Sequence, residues 1–449
     1  MTKPGQGAGG AMRDEGLRLV TPAEVPALSR PAVDAEILVA AAQIVQAVRL
    51  GGEAALRSYA ERLDGLAPGA PMLHDRAALR LAWEALPTDQ QALLQRIHDR
   101  IEAFAEAQRG CIVDLSMEIA GGRAGHTVAP VERAGCYAPG GRFPLPSSVL
   151  MTAVTARVAG VTQVLVASPR PVAVTLAAAY LAGAEALLAC GGAQAIAALA
   201  YGAGDVPACD VIVGPGNRWV TAAKQLVSGH VGIDMLAGPS ELVVLATAET
   251  PEHRVDPETI AADLLAQAEH DPDALPVLVT TDATLPARVN AALVRQLEDL
   301  PTADTARPAV AQGFAVVCDS LEAAIDLCNT LAPEHLEVLV PDCERHLRRF
   351  KHYGGLFLGH NAAEVLGDYG AGPNHVLPTG GTARATGGLS VFTFLRVRTW
   401  LAMDTPDALA RDAAALARLE GLEGHARSAE RRLSPPRLPS PSPLAVPMR

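Results

Sequence analysis

Short apolar runs alternate with helical segments along much of the chain, and this alternation limits the possible folds more than any other feature. It occurs in two series, over roughly residues 161–227 and 242–340, and glycine, proline or aspartate bounds the apolar runs. Such runs are typical of buried parallel strands. Because repeated strand–helix alternation builds parallel sheets covered by helices on both faces, the sequence predicts an α/β fold with two sheet domains.

The flanking segments set the predicted domain limits. Residues 34–110 place apolar side chains at the three- and four-residue spacing of helices, and residues 407–432 also have a helical pattern. The last 17 residues hold six prolines, which a packed helix does not tolerate. We therefore predict an N-terminal arm (1–33), a first α/β domain (34–136 with 241–388), a second α/β domain (137–240), a helical segment (389–432) and a disordered tail (433–449).

Charge and composition exclude several classes of partner. The chain carries 37 Lys and Arg against 49 Asp and Glu, a net charge of −12, which argues against binding to nucleic acid. Its seven cysteines are dispersed and include no CxxC pair, as in a protein with reduced thiols. Residues 1–10 lack the apolar core of a signal peptide. The most apolar stretch, 172–187, contains Gly183 and Glu185, so we expect a cytoplasmic protein without a membrane partner.

Two glycine-containing turns follow predicted strands in the first series. Gly214-Pro-Gly216-Asn217 comes after Val211–Val213 and opens a helix with Asn217 as the N-cap. Gly191-Gly-Ala-Gln194 follows another strand. Ligands of α/β sheets bind outside the carboxyl ends of the strands, so these turns are candidate anion or cofactor sites. An ordinary strand–turn–helix junction has the same pattern.

Polar side chains in the second series are candidates for metal binding and acid–base chemistry. Gln267 and His270 are three residues apart near the end of a predicted helix, so they share one face, where His270 is either a metal ligand or a contact to the helix dipole. Glu334 and His335 precede a strand and form a possible base pair, provided that a bend brings both to one substrate. Asp368 lies in a glycine-rich loop that also carries His375.

A four-ligand set of oxygen and nitrogen atoms is available from Gln267, His270, Asp368 and His425, and such a set suits Zn²⁺. The chain has 12 histidines, and the physical chemistry of the residues does not by itself select this set of four ligands from the many possible combinations.

Nine segments, in order along roughly residues 30–432, resemble the histidinol dehydrogenase family, whose members use zinc and NAD and catalyse the last steps of histidine biosynthesis. The segments are 131–141 (VERAGCYAPGG), 146–151 (PSSVLM), 191–202 (GGAQAIAALAYG), 214–217 (GPGN), 233–241 (IDMLAGPSE), 267–270 (QAEH), 333–336 (PEHL), 367–379 (GDYGAGPNHVLPT) and 420–426 (EGLEGHA).

The resemblance implies a role for each motif. It implies two incomplete Rossmann-like domains, the second of which binds NAD, and a homodimer in which small N- and C-terminal segments swap and the active sites are shared. The substrate would be L-histidinol. Zn²⁺, one per subunit, would be held by Gln267, His270, Asp368 and the other subunit's His425. NAD would contact Tyr137, Gln194 and Asn217. The substrate would contact Ser240, His335, Asp368 and Glu420 as well as the metal ligands, with Glu334 and His335 as the catalytic residues.

Three alternatives stay open at this point. Relatives of this fold oxidise other small alcohols, such as sulfonated propanediols, and segments 383–389 and 420–425 lean towards them. Segments 146–151, 237–240 and 367–374 lean towards the histidine enzymes and lie nearer the expected substrate contacts. A zinc hydrolase would need no NAD contacts, and a non-catalytic zinc-stabilised dimer would have lost the base pair, which is present here.

Overall fold

A computed structural model describes residues 16–28, 33–140, 143–247 and 255–433. Most of the predicted N-terminal arm and residues 434–449 of the predicted tail lie outside these ranges. The chain divides into two compact units. The first consists of Met1–Arg109 and Pro130–Phe394, and the second of Gly110–Ala129 and Leu395–Arg449.

The strands and helices of the described residues are numbered in chain order. The strands are β1 (Arg18–Val20), β2 (Leu73–Asp75), β3 (Leu115–Ile119), β4 (Gly122–Pro130), β5 (Arg133–Tyr137), β6 (Gln163–Ala167), β7 (Ala186–Leu188), β8 (Val211–Val213), β9 (Gly232–Ile233), β10 (Glu241–Ala246), β11 (Leu275–Thr280), β12 (Phe314–Val317), β13 (His335–Leu339), β14 (Gly355–Leu358) and β15 (Leu395–Met403). The α-helices are α1 (Ala35–Tyr59), α2 (Arg76–Glu84), α3 (Thr88–Gly110), α4 (Pro146–Ala159), α5 (Ala173–Leu181), α6 (Gly192–Tyr201), α7 (Arg218–Val227), α8 (Pro257–Ala268), α9 (Leu285–Asp299), α10 (Ala303–Gln312), α11 (Leu321–Leu331), α12 (Glu364–Asp368), α13 (Asp407–Leu419) and α14 (Glu423–Glu430).

The first sheet has the strand order β1-β12-β11-β10-β13-β14, and each neighbouring pair of these strands is parallel. Successive residues of its central strand β10 face opposite sides, as the period of a strand requires. Leu242 and Val244 pack in the core below α8, α9 and α10, whereas Val243 and Leu245 pack in the core that contains α11. Helices therefore cover both faces, which confirms the α/β fold predicted from the second series.

The second sheet has the order β2-β7-β6-β5-β8-β9 and is parallel except for β2, which runs antiparallel to β7. Its core contains side chains of α1, α6 and α7. Helix α1 therefore packs on this sheet and not with the first, where the predicted limits placed residues 34–136. The physical reason is that one face of α1 carries Ala41, Val45, Val48 and Leu56, all buried against α6 and α7.

The start of the chain differs from the prediction in a second respect. β1 lies in the predicted N-terminal arm, yet it pairs with β12 at the edge of the first sheet. The predicted boundary at residues 136 and 137 also falls inside β5, which is a central strand of the second sheet.

Helix α1 continues into a π-helical turn, Ala60–Asp64, and together they form the one helix in the described ranges that is long and apolar enough to cross a membrane by length and composition. It lies near the N-terminus, and its buried face contributes to the core of the second sheet.

The second unit contains a three-stranded sheet of order β15-β4-β3 and two helices. β3 and β4 form an antiparallel hairpin. Helices α13 and α14 pack on each other through Ala414, Ala417 and Ala426. The segment 389–432, predicted to be helical, therefore includes the nine-residue strand β15 before its helices.

All seven cysteines are free thiols, as predicted. Five of them are buried, and burial raises the pKa of Cys209 to about 12, which keeps that thiol protonated and unreactive.

Candidate active site

Glu334 and His335 form a buried pair at the amino end of β13. Their exposed fractions are only 7% and 3%. Glu334 lies at a bend just before the strand, which is the bend that the sequence required for both side chains to reach one place. Its Oε2 accepts the N–H of Glu241 at 2.9 Å and lies 3.6 Å from His335 Nδ1, which is itself 3.1 Å from the Glu241 carbonyl oxygen. The backbone of β10 thus holds the two side chains together.

The charge around this pair sets its protonation. Burial disfavours the imidazolium of His335, but the carboxylates of Glu334, Asp368 and Glu364 outweigh burial and raise its pKa to about 10. Burial raises the pKa of Glu334 to about 8, although the neighbouring imidazole opposes that shift. These shifts describe a site without a cation. A divalent cation held by these carboxylates would offset their charge and lower the pKa of both groups, so that His335 and Glu334 could each accept a proton.

Asp368 lies between two histidines. Its Oδ1 is 3.5 Å from His335 Nε2, and its Oδ2 is 3.9 Å from His270 Nε2. Burial raises the pKa of Asp368, but the histidines around it outweigh burial and hold the pKa below its ordinary value. His335, Glu364 and Asp368 offer ligand atoms that all lie within 4.8 Å of one another, a spacing that permits one metal ion.

Gln267 ends the buried face of α8 and is fully buried. In the amide orientation that satisfies both groups, its nitrogen donates to Glu364 at 3.0 and 2.8 Å. The carbonyl oxygen of Gln267 is then the atom available to a cation. Sequence reasoning missed Glu364, whose position four residues before Asp368 on the short helix α12 was the only signal available.

His375 connects this region to the second sheet. Its Nδ1 lies 2.9 Å from the backbone oxygen of Asp368, and its Nε2 lies 3.3 Å from the hydroxyl of Ser148 on α4. The neighbouring Asn374 donates to the Met151 carbonyl oxygen at 2.8 Å. Asp368 ends α12 and does not lie in a loop as predicted, and the loop that follows it is fixed on α4, a helix of the second sheet.

The three residues predicted to contact NAD lie at the carboxyl edge of the second sheet. Tyr137 ends β5 and is buried, with its hydroxyl accepting the Gly192 N–H at 3.2 Å. Gln194 is buried in the first turn of α6. Asn217 is exposed and caps α7, accepting the N–H groups of Trp219 and Val220 at 3.0 and 3.3 Å, as the sequence predicted for an N-cap.

A buried ion pair fixes the turn that leads to Asn217. Lys224 is 2% exposed, and its ammonium group contacts Asp234 and donates to the Gly214 carbonyl oxygen at 3.0 Å. Asp234 accepts the Gly214 N–H at 2.7 Å. Gly214 has φ of 111°, and a Cβ there would lie 2.0 Å from the backbone carbonyl oxygen of Tyr137. The turn therefore requires glycine.

Of the remaining predicted residues, Ser240 adjoins Glu241 and so lies next to the Glu334–His335 pair, and two belong to the second unit. Ser240 directly precedes β10, and its carbonyl oxygen accepts the Leu275 N–H at 2.9 Å. Glu420 and His425 belong to the second unit, where Glu420 caps the end of α13 and His425 lies on α14. Both are exposed within that unit.

Two further acids, Asp263 and Glu337, are packed behind Glu364. Glu337 is 1% exposed and accepts the Glu364 N–H at 2.6 Å. Burial raises the pKa of Asp263 to about 6, and burial together with the charge of Asp263 raises that of Glu337 to about 8.

These shifts predict a pH dependence of stability. An acid whose pKa is raised by folding contributes full stability below its unfolded pKa of about 4, and this contribution is lost as the pH rises towards the folded value. We therefore expect the thermal unfolding midpoint to fall between about pH 5 and pH 8. Glu337→Gln should remove part of this fall in the unfolding midpoint, whereas the same substitution at the exposed Glu118 should leave the fall unchanged. Differential scanning calorimetry at several pH values measures both, and an unchanged pH profile for Glu337→Gln would contradict the assignment.

Comparison with known proteins finds relatives that are named histidinol dehydrogenase. The sequence model of the family described as histidinol dehydrogenase matches residues 28–433. Histidinol dehydrogenase of Thermus thermophilus is 49% identical over 394 residues, which cover 87% of this chain and 93% of that protein. The enzyme of that name from Parasynechococcus marenigrum is 47% identical over 400 residues, with 87% and 90% coverage. A crystal structure of histidinol dehydrogenase from Elizabethkingia anophelis superposes with a TM-score of 0.85 at 30% identity, covering 93% of this chain and 98% of that one.

The fold and the site define the class. One mainly parallel sheet has glycine-containing turns at the carboxyl ends of its strands, and the other carries a buried glutamate–histidine pair. This combination is typical of a Rossmann-like α/β oxidoreductase. The chain belongs to the histidinol dehydrogenase family. The alternative of an enzyme for another small alcohol receives no support from these relatives.

Proposed function

We propose that the protein oxidises L-histidinol to L-histidine with two molecules of NAD⁺, the last steps of histidine biosynthesis. The observation that carries the proposal is the buried Glu334–His335 pair, 3.5 Å from an aspartate that also approaches His270, in a chain of this family. The pair supplies acid–base chemistry, and the adjacent oxygen and nitrogen donors supply a cation site.

The donor set fits a zinc ion. Gln267 turns its nitrogen to Glu364 so that its oxygen is available, and Asp368 Oδ2 lies 3.9 Å from His270 Nε2. We assign Gln267, His270 and Asp368 as ligands of one Zn²⁺ per subunit, with His425 of a second subunit as the fourth. A neutral amide, a carboxylate and two imidazoles form a donor set that suits this metal.

The chain's own residues account for the first oxidation. Ser240, Asp368 and Glu420 position the substrate, and His335 accepts the proton of its hydroxyl group as the carbon loses a hydride. When bound, Zn²⁺ supplies a positive charge that orients the amino and imidazole nitrogens of the substrate, and NAD⁺ supplies the hydride acceptor. The resulting aldehyde stays in the site, which protects it from side reactions.

The second oxidation needs a water molecule. Glu334 accepts a proton from the water as it adds to the aldehyde carbon, and His335 returns the proton of the first oxidation to the carbonyl oxygen. The neutral imidazole of His335 then accepts a hydroxyl proton of the hydrate as the second hydride leaves. The product is a carboxylate, and each of two NAD⁺ molecules has taken one hydride.

Glu334→Gln is expected to impair the second oxidation more than the first. The amide keeps the shape of the side chain but does not accept a proton, so kcat for histidinaldehyde should fall by about 10²-fold or more, with a smaller loss for L-histidinol to aldehyde. Single-turnover measurements that follow each step separately test this. Equal losses in both steps would count against the water-activating role.

We assign Tyr137, Gln194 and Asn217 to NAD. All three lie at the carboxyl edge of the second sheet, where parallel sheets bind ligands, and Asn217 opens a helix whose amino end favours an anion such as the pyrophosphate.

We also infer a cytoplasmic homodimer with shared sites, without a nucleic acid or membrane partner. The net charge of −12 supports the exclusion of nucleic acid. The exposed apolar side of α1, where Val39 is 63% and Leu50 is 77% exposed, is a surface suited to a second subunit.

Mixed dimers test the shared site. Chains with His425→Ala and chains with His335→Asn should each be nearly inactive alone, because each lacks a required group. Purified heterodimers should recover about half of wild-type activity, since one of the two sites then has all its residues. Activity is compared after purification with two different affinity tags. Heterodimers without recovered activity would argue against a shared site.

Substrate choice separates the proposal from its alternative. NADH formation from L-histidinol, with none from a sulfonated propanediol at the same concentration, supports the proposed function. NADH formation from the sulfonated propanediol but not from L-histidinol would overturn the proposed function. A hydrolytic activity without NADH formation would indicate a zinc hydrolase.

A further inference from the structure

Asp64 contacts the loop at the carboxyl end of β7 through one carboxylate oxygen. It is the last residue of the π-helical turn Ala60–Asp64, far in sequence from that loop. Its Oδ2 accepts the Gly191 N–H at 3.0 Å and the Gln194 amide nitrogen at 3.1 Å, and the Cys190 thiol lies 3.4 Å from the same oxygen. Three donors, two from the connection after β7 and one from the first turn of α6, therefore converge on a single acceptor.

These contacts determine how Gln194 and Tyr137 face a ligand. Because the Gln194 nitrogen is directed to Asp64, its carbonyl oxygen is left as the acceptor. The Tyr137 hydroxyl accepts the Gly192 N–H at 3.2 Å, so its own proton is free to be donated. An acceptor and a donor thus lie side by side at the end of the sheet, a combination that suits a ribose hydroxyl group.

The backbone of the loop has little space to move. A Cβ at Gly191 would lie 2.7 Å from the Pro169 side chain and 3.2 Å from Asp64 Oδ1. The loop is therefore held between Pro169 and Asp64, and a shift at Asp64 would be transmitted to Gln194.

We propose that Asp64 is a positioning residue for the dinucleotide subsite. It fixes the start of α6 and the connection before it, so that Gln194 and Tyr137 are aligned for NAD before it binds. The inference rests on the proposed NAD dependence. It assigns to Asp64 an effect on cofactor binding and no contact with the reacting atoms of L-histidinol.

Three variants test the role. Asp64→Ala removes the acceptor, Asp64→Glu displaces it by one methylene, and Asp64→Asn keeps an oxygen that can occupy the same position. Asp210→Ala is the matched control, because Asp210 Oδ2 also accepts two backbone N–H groups, those of Glu132 and Arg133 at 2.9 Å, but at the opposite edge of the same sheet. The readouts are the Kd of NADH from fluorescence titration, KM for NAD⁺ and for L-histidinol, kcat, zinc content and the unfolding midpoint.

Asp64→Ala is expected to raise the Kd of NADH and KM for NAD⁺ about tenfold, with kcat, KM for L-histidinol and zinc content nearly unchanged. Asp64→Glu should give a similar loss, and Asp64→Asn should largely restore binding. Asp210→Ala should lower the unfolding midpoint and leave the Kd of NADH unchanged. Wild-type Kd values in Asp64→Ala, or in Asp64→Glu if the alanine variant does not fold, would overturn the inference. A wild-type protein that binds no NADH would overturn the proposed function itself, and the inference with it.

Discussion

Replacing His335 by asparagine is expected to lower kcat for L-histidinol oxidation by about 10²- to 10⁴-fold, the range that general acid–base catalysis contributes. His335 is 3% exposed and is held by the Glu241 carbonyl oxygen and by Glu334, so asparagine fits without exposing new surface. The proposed zinc ligands are different residues, and zinc content should therefore stay near one per subunit.

Stopped-flow detection of NADH and metal analysis of the same preparation measure the two effects. His98→Asn is the control, because His98 lies on α3, where its Nδ1 is 3.3 Å from Asp99, and has no part in the proposed chemistry. Near-normal turnover in His335→Asn would contradict its role as the base. Loss of zinc together with activity would instead make His335 a metal ligand.

Lys224→Met is expected to destabilise the protein by about 3–5 kcal/mol, the cost of leaving one partner of a buried ion pair uncompensated. Lys224 and Asp234 are 2% and 1% exposed at their side chains, so water cannot replace the lost ammonium group. The Gly214 carbonyl oxygen would lose its donor as well.

Denaturation by urea, followed by tryptophan fluorescence, measures the change in the free energy of unfolding. Arg80→Met breaks the exposed Arg80–Glu84 pair, whose side chains are 64% and 48% exposed, and should cost less than about 1 kcal/mol. A loss as small for Lys224→Met as for Arg80→Met would show that the buried pair does not hold the turn.

The central strands of both sheets were predictable because buried parallel strands are continuous apolar runs. Val243 and Leu245 fill one core while Leu242 and Val244 fill the other, so the positions of β10 after Glu241 favour apolar residues. The residues of Gly191–Gln194 and Gly214–Asn217 were placed correctly at strand ends for the same reason.

Contacts between distant segments were not predictable. Lys224 lies in a helix whose sequence resembles a surface helix, and only the fold shows that Asp234 and Gly214 meet its ammonium group. The assignment of α1 to the second sheet depends on which core its apolar face enters, which helical spacing does not specify.

The candidate site shows the same limit. Spacing predicted Gln267 and His270 on one helical face, but α8 ends at Ala268 and His270 lies in the turn that follows it. Selection of the zinc set required the family resemblance, because 12 histidines offer many combinations. Glu364 and Asp64 belong to no motif of their own, and their roles follow from the amide and N–H groups that they accept.

The most direct test of the account is the number of NADH molecules formed per L-histidinol, followed at 340 nm with limiting substrate and zinc-loaded protein. We predict two NADH per L-histidinol with L-histidine as the product, loss of the reaction with a chelator and recovery with Zn²⁺. One NADH with release of the aldehyde, or no NADH from folded, zinc-loaded protein, would contradict it.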